Sequence, residues 1–344
     1  MKIIKIGIVC FLFLIINAST CKKNSTSASG GNGGTTVNFI KGADISWVTQ
    51  MESAGIRFYN RVGADRDCFI LMKELGMNAI RLRVWVNPAS GWNNIADLVA
   101  KAVRAKAAGL MLMIDFHYSD SWADPGQQNK PAAWASQNIS QLRSSLYDHT
   151  VTVLNALKSA GVTPAWVQVG NETNDGMLWP EGRASANMQQ FASLIQSGYN
   201  AVKSVDSTIR VIVHISNGYD NNLFRWIFDG LKTNQVSYDI IGMSLYPSSA
   251  NWQTLNQQCL ANMIDMNGRY GKPVMICETG MPYTDSVACK AFITDLMDKV
   301  KTVPANNGLG VLYWEPQSYN NWQGYTLGAF NNSGKPTIAL GPFQ

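Results

Sequence analysis

The chain has 344 residues, 46% of them hydrophobic, enough for one large core or two ordinary domains. The formal charge is +5, or 5 − 2 = +3 once Lys2 and Lys5 leave with an export signal, and no Lys/Arg run exceeds Lys22-Lys23, which excludes a nucleic-acid footprint. Sparse charge with 11 Trp and 12 Tyr suits a neutral ligand with flat apolar faces, although most Trp of any chain pack a core.

Residues 1–20 read as an export signal. Lys2 and Lys5 form a basic start, and residues 6–16 are an apolar stretch too short to span a bilayer comfortably. Ala18-Ser19-Thr20-Cys21 resembles a bacterial lipoprotein signal, with Cys21 lipidated, although no Leu stands three residues before it. Residues 21–36, rich in Ser, Thr, Gly and Asn, read as a lipid-bearing flexible tether. The expected location is a bacterial membrane, the outer membrane at its periplasmic or cell-surface face, with plain secretion the alternative.

Residues 37–344 read as one domain, because no second linker or composition break occurs. Apolar runs and helical patterns alternate. Strands are predicted at 40–46, 79–85, 110–116, 166–169, 210–214, 240–245, 274–277 and 310–314. Helices are predicted at 65–75, 95–108, 140–160, 186–205, 221–231, 253–270 and 286–303. Gly76, Gly109, Gly161, Gly271 and Gly308 stand where left-handed helix caps are needed. Eight such units imply a closed parallel α/β barrel, a (β/α)8 TIM barrel, with a reduced or irregular eighth helix. An open doubly wound sheet is the competitor, but no Gly-rich phosphate loop follows the first strand. Cys68, Cys259, Cys277 and Cys289 read as buried thiols, a Cys259–Cys289 bridge being the alternative.

A barrel carries its active site at the C-terminal strand ends. These ends present Asp44 and Trp47; Arg83 and Trp85; Asp115, His117 and Tyr118; Asn171 and Glu172; His214 and Asn217; Tyr246; Glu278; Trp314 and Glu315. Of six glutamates, Glu172 and Glu278 cap buried-looking strands. Two carboxyls at one mouth are the equipment of glycoside hydrolysis, one protonated and one ionised. Arg83 is the expected neighbour of one carboxylate, lowering its pKa. The residues alone leave open which Glu plays which part, and whether configuration is retained. His214 in its apolar run fits a core histidine as well as a site residue. Asp120 and Asp124 fit a turn, and Glu315 fits a loop anchor facing away.

Several motifs carry a family resemblance. Gly170-Asn171-Glu172 and Glu278 resemble the retaining barrel glycosidases. Arg81-Leu82-Arg83-Val84-Trp85-Val86-Asn87-Pro88, the run Asp115-Phe116-His117-Tyr118-Ser119-Asp120-Ser121-Trp122-Ala123-Asp124-Pro125, and Tyr313-Trp314-Glu315-Pro316 are similar to the endo-β-1,4-galactanases of glycoside hydrolase family 53. Lys41-Gly42-Ala43-Asp44-Ile45-Ser46 opens the domain as members do, and the resemblance spans about residues 38–340. It implies endo-hydrolysis of β-1,4-galactan by double displacement, with Glu172 the acid/base and Glu278 the nucleophile. It implies that Asn171 bonds the sugar 2-hydroxyl, that Arg83 and Tyr246 flank the nucleophile, and that His117 and His214 line the site. Trp314 would be the sugar platform. Trp85, Asn87, Asp120 and Trp122 would be further substrate contacts, and Asp44, Tyr118 and Asn217 complete the candidate set.

The partners expected are galactan and, through the lipid, a membrane, with the protein a monomer. No cofactor is expected to be required. Some bacterial members bind calcium in a long loop after the seventh strand; here 280–286 is short, with Asp285 its one carboxylate, which leaves that calcium unsupported. The alternatives are a related hydrolase of mannan or glucan and an inactive glycan-binding barrel. A metal-dependent hydrolase would need more than three histidines with no His-x-His pair.

Overall fold

The computed structural model describes residues 39–344; the export signal, Cys21 and the tether lie outside the described residues. Eight parallel strands close a barrel: β1 (Ile40–Asp44), β2 (Ala79–Val84), β3 (Met111–Phe116), β4 (Trp166–Val169), β5 (Arg210–Ile215), β6 (Ile240–Leu245), β7 (Val274–Thr279) and β8 (Gly308–Trp314). Each strand pairs with the next in sequence, and β8 returns to β1. Around them run α1 (Val48–Ser53), α2 (Cys68–Glu74), α3 (Ile95–Ala107), α4 (Ile139–Ser159), α5 (Met188–Val205), α6 (Asn221–Thr233), α7 (Trp252–Tyr270) and α8 (Ser286–Lys301).

Local chemistry sets these boundaries. Asn138 and Gln141 cap α4 reciprocally, and α6 buries Phe224, Ile227, Phe228 and Leu231 along one stripe. The helix predicted from residue 65 starts at Cys68 instead, because the Asp67 side chain accepts the Phe69 and Ile70 N–H groups. Asp65–Arg66 pairs with Phe58–Tyr59 in a small hairpin that the sequence reading missed, as it did α1. Gly76, Gly109, Gly161 and Gly271 have positive φ as expected, but Gly308 does not and begins β8. No α-helix follows β8; a 3-10 stretch, Ile338–Phe343, takes that place.

The barrel interior is layered. Its lower part is apolar: Ile40, Ala79, Met113, Trp166, Ile212, Ile240, Met275 and Leu312 pack together. Alternation then puts the residues two and four further along each strand on the same inner face. These are Asp44, Arg81, Arg83, Asp115, Gln168, His214 and Ser244, all buried. The interior thus turns from hydrocarbon to charge on approaching the C-terminal mouth.

Strand β7 breaks the alternation. Met275 and Cys277 both pack inside, so a regular strand would send Glu278 outward to the helices. The register against β6 shifts here: Met243 pairs with Ile276, but Ser244 pairs with Glu278. That one extra residue turns the Glu278 side chain inward. Across from the irregularity, Gly242 makes room: a Cβ there would stand 2.7 Å from Ile212 Cγ2 and 2.9 Å from Cys277 Sγ. Gly242→Val should therefore lower stability by about 1–3 kcal/mol, read as a fall in the urea midpoint at unchanged slope.

Candidate active site

Arg81 is fully buried at the centre of the charged layer. Its Nη1 lies 2.7 Å from Asp44 Oδ2, and its Nη2 lies 2.9 Å from Asp115 Oδ2 and 2.8 Å from Glu278 Oε1. Nε and Nη2 also reach Gln168 Oε1 at 3.2 and 3.1 Å, and Nη2 reaches Asn171 Oδ1 at 2.9 Å. A guanidinium is donor-only, so these contacts orient every amide around it. Gln168 must turn Nε2 toward Asp115 Oδ1 (2.5 Å) and Asn171 Oδ1 (3.0 Å). Asn171 must in turn point Nδ2 away, where it donates to Ala123 O at 2.9 Å and keeps one N–H free. Burial pushes the Asp115 carboxyl up, yet Arg81 and His117 outweigh it and hold the group below the usual range.

The two histidines are set by the same network. His117 Nδ1 accepts from Trp85 Nε1 (3.3 Å) and the Ala123 N–H (3.1 Å), so its Nε2–H faces Asp115 at 2.9 Å. His214 lies 3.0 Å from Asn171 Oδ1 through Nδ1 and 2.8 Å from Ser244 Oγ through Nε2. Burial and the nearby Arg81 hold His214 well below its usual pKa, hence neutral.

Glu172 and Glu278 line one cavity of about 590 Å³ at the barrel mouth. Gly170 turns the chain after β4 with φ 81°, and Glu172 itself has φ 43°. The strained turn is held by the Thr173 N–H on His214 O (2.9 Å) and by Asn174 on Ser216. Burial pushes the Glu172 carboxyl up to about 7. Glu278 is raised as well, to about 8, by burial and by the charge of Glu172, with Arg81 pulling against both. The Tyr246 hydroxyl donates to Glu278 Oε2 at 3.0 Å. Two strong donors on Glu278, Arg81 and Tyr246, favour its ionised form, whereas no guanidinium touches Glu172.

An aromatic wall completes the cavity. Trp122 and Trp314 line it, with ring centroids 5.9 Å apart, and Tyr325 stands edge-on to Trp314 at 4.7 Å. The Tyr325 hydroxyl donates to Trp314 O at 3.1 Å, fixing both rings. Behind them Arg83 stacks on Trp122 (4.5 Å) and on Trp47 (5.1 Å).

The structure brings His117, Trp122, Asn171, Glu172, Asn217, Tyr246, Glu278 and Trp314 to the cavity, as the sequence reading expected. The others lie elsewhere. Arg83 does not flank Glu278; it pairs with Glu315 at 2.6 Å, and Arg81 takes that role. Both arginines face inward, but Arg81 is one layer deeper, where the carboxylates converge. Glu315 also accepts the Trp47 N–H at 3.1 Å, so it anchors the loop after β1, but its pairing with the inward Arg83 means that it does not face away as expected. Tyr118 shares the outward parity of Ile114 and Phe116; its hydroxyl bonds Thr150 on α4 at 2.8 Å, away from the mouth. Asp44 and His214 are fully buried supports. Trp85 braces His117 and Trp122 from behind. Asp120 ties the Asn87 N–H to the Ala132 N–H, both at 2.9 Å, and neither Asn87 nor Asp120 reaches the cavity. Gln168, Ser244 and Tyr325 were missed; inward parity was the available signal for the first two.

Cys68, Cys259, Cys277 and Cys289 are free and buried. Among the described residues no group of three or more His, Cys, Asp or Glu could hold a metal ion.

Residues 40–290 and 285–343 match the sequence profile described as "Glycosyl hydrolase family 53". The chain is 34% identical over 335 residues to the arabinogalactan endo-beta-1,4-galactanase of Thermothelomyces thermophilus, covering 88% of this chain and 98% of that one. It is 33% identical over 309 residues to the endo-beta-1,4-galactanase of Bacillus subtilis, covering 81% and 70%. A solved fungal beta-1,4-galactanase superposes with a TM-score of 0.82 at 32% identity, covering 88% of this chain and 98% of that chain.

Removing Arg81 leaves Asp44, Asp115 and Glu278 buried without their cation. Arg81→Met should cost about 3–5 kcal/mol in denaturant unfolding. A variant as stable as the parent would refute the central place given to this side chain.

Proposed function

The chain belongs to glycosyl hydrolase family 53, and on that premise we propose that it hydrolyses internal β-1,4-galactosidic bonds of galactan and type I arabinogalactan. The observation that carries the reading is one cavity holding a carboxylate fixed by two donors, a carboxyl raised to about 7, and an aromatic wall. The names of the relatives supply the sugar.

In this reading Glu172 is the acid and Glu278 the nucleophile. A galactosyl unit lies against Trp314 with its anomeric carbon facing Glu278. The Glu278 carboxylate attacks that carbon while Glu172 gives its proton to the departing 4-oxygen, leaving a covalent glycosyl-enzyme. Glu172, now ionised, takes a proton from water, which displaces Glu278 from the sugar. The outcome is retention. Asn171 offers its free Nδ2–H to the 2-hydroxyl, a contact that strengthens in the transition state. Tyr246 remains a donor throughout, because burial and the charge of Glu278 hold its hydroxyl well above the usual pKa.

The protein acts as a monomer without a cofactor. Cys21 carries the lipid that ties it to a bacterial membrane through residues 22–36.

The first test is reducing-end release from galactan, mannan and cellulose in EDTA, with galactan cleaved and the other two not. Glu172→Gln should lose about 10²- to 10⁴-fold on galactan. It should still form a glycosyl-enzyme from a dinitrophenyl β-galactoside, whose leaving group needs no proton; a variant silent on both substrates contradicts the acid role. The pH profile follows from the raised carboxyls. Activity should decline as pH rises through about 7, where Glu172 loses its proton, and the acid limb, set by Glu278, should lie above the ordinary carboxylate range because that carboxyl is raised too. A rate flat from pH 6 to about 9 contradicts the assignment. Cys21→Ala should move the protein from the membrane to the soluble fraction.

A further inference from the structure

A second cavity, of about 500 Å³, opens between the start of α6 and the middle of α7. It shares Tyr219 with the catalytic cavity. Tyr219 is 37% exposed, and among the described residues its hydroxyl has no hydrogen-bond partner. Its position is nevertheless fixed from below. The Gly218 N–H donates to Ser244 O at 2.8 Å, and Asn262 Nδ2 donates to Gly218 O at 2.8 Å. A Cβ on Gly218 would come within 3.2 Å of both Cys259 Sγ and Ser244 O, so the loop sits close against the barrel. The backbone that carries the ring is thus held against the barrel while the ring itself stays exposed, as a stacking surface for a pyranose needs.

The walls suit a neutral, hydroxyl-rich ligand. Arg225 and Asp265 neutralise one another, with Nη2 2.6 Å from Oδ1 and Nε 2.9 Å from Oδ2. Asn221 donates to the same Asp265 at 2.8 Å. Asn222 and Gln258 also line this cavity, and their side-chain amides have no protein partner among the described residues. Planar amides and a carboxylate–guanidinium pair offer donors and acceptors in fixed directions.

The place of this cavity gives it a direction. Ser216 and Asn217, on the loop that carries Tyr219, line the main cavity after β5, next to the Glu172 strand. Trp314 and Glu278 stand on β8 and β7, at the other side. A chain crossing from Trp314 past Glu172 would continue over Tyr219.

We propose that the α6–α7 cavity is a distal subsite for the leaving-group side of the chain, with Tyr219 stacking on a galactopyranose ring and Arg225 and Asp265 bonding its hydroxyls. This rests on the galactan reading above. A polymer or long oligomer fills the subsite; a substrate whose leaving group is a single nitrophenol does not.

The test compares wild type, Tyr219→Ala and Arg225→Ala on galactan and on a nitrophenyl β-galactobioside. In both variants kcat/KM on galactan should fall roughly fivefold to tenfold, the range for losing one stacking or bidentate contact. The loss on galactan should exceed that on the nitrophenyl substrate by at least about threefold. Cleavage of galactohexaose should move toward bonds that leave shorter reducing-end fragments. Equal losses on the two substrates, or unchanged galactan kinetics in both variants, overturn the subsite. A wild type that cleaves the nitrophenyl substrate but not galactan overturns the polysaccharide reading, and the subsite with it.

Discussion

A guanidinium with no water around it must be enclosed by acceptors, and the upper half of this barrel is arranged to enclose Arg81. The side chain enters from β2 and is met by carboxylates from β1, β3 and β7 and by amides from β4 and its following turn. Four strands distant in sequence are therefore registered against one planar fork. Because all five N–H groups point outward from a rigid plane, the geometry of each partner follows from that of the cation. The orientation of Asn171 is a consequence: its oxygen is claimed by Arg81 and Gln168, so its nitrogen faces Ala123 and the cavity.

The same layer decides where a proton sits. Arg81 and Arg83 stand among five carboxyls: Asp44, Asp115, Glu278, Glu315 and Glu172. Five buried negative charges against two positive ones are not sustained at neutral pH. The group with the weakest claim on a donor takes up the proton. Asp44 holds Arg81 and both polar groups of Ser46; Asp115 holds Arg81, Gln168 and His117; Glu278 holds Arg81 and Tyr246. Glu172 touches no guanidinium. The two glutamates differ because Glu278 is inside the reach of Arg81 and Glu172 is outside it.

Much of this was legible in the sequence. Eight strands, their order and the carboxyls on the fourth and seventh came from apolar runs and the residues that end them. Tyr118 was also legible: counting in twos from Ile114 sends it outward. Two features were not. Arg81 and Arg83 share a face, and only the stagger of neighbouring strands tells which one lies level with Glu278. Glu278 itself is out of step with Met275 and Cys277, and its inward turn depends on a shift of pairing with β6 that no local pattern announces. The motif order put Glu278 at the mouth, where alternation alone would have sent it outward.

The central claim is that Arg81 keeps Glu278 ionised and leaves the proton to Glu172. A carbon-13 NMR titration of protein labelled at glutamate side-chain carboxyls, with Glu172→Gln and Glu278→Gln for assignment, reads this directly. The account predicts that at pH 6 the Glu172 carboxyl is protonated and the Glu278 carboxyl is ionised. A protonated Glu278 beside an ionised Glu172 at that pH would contradict it.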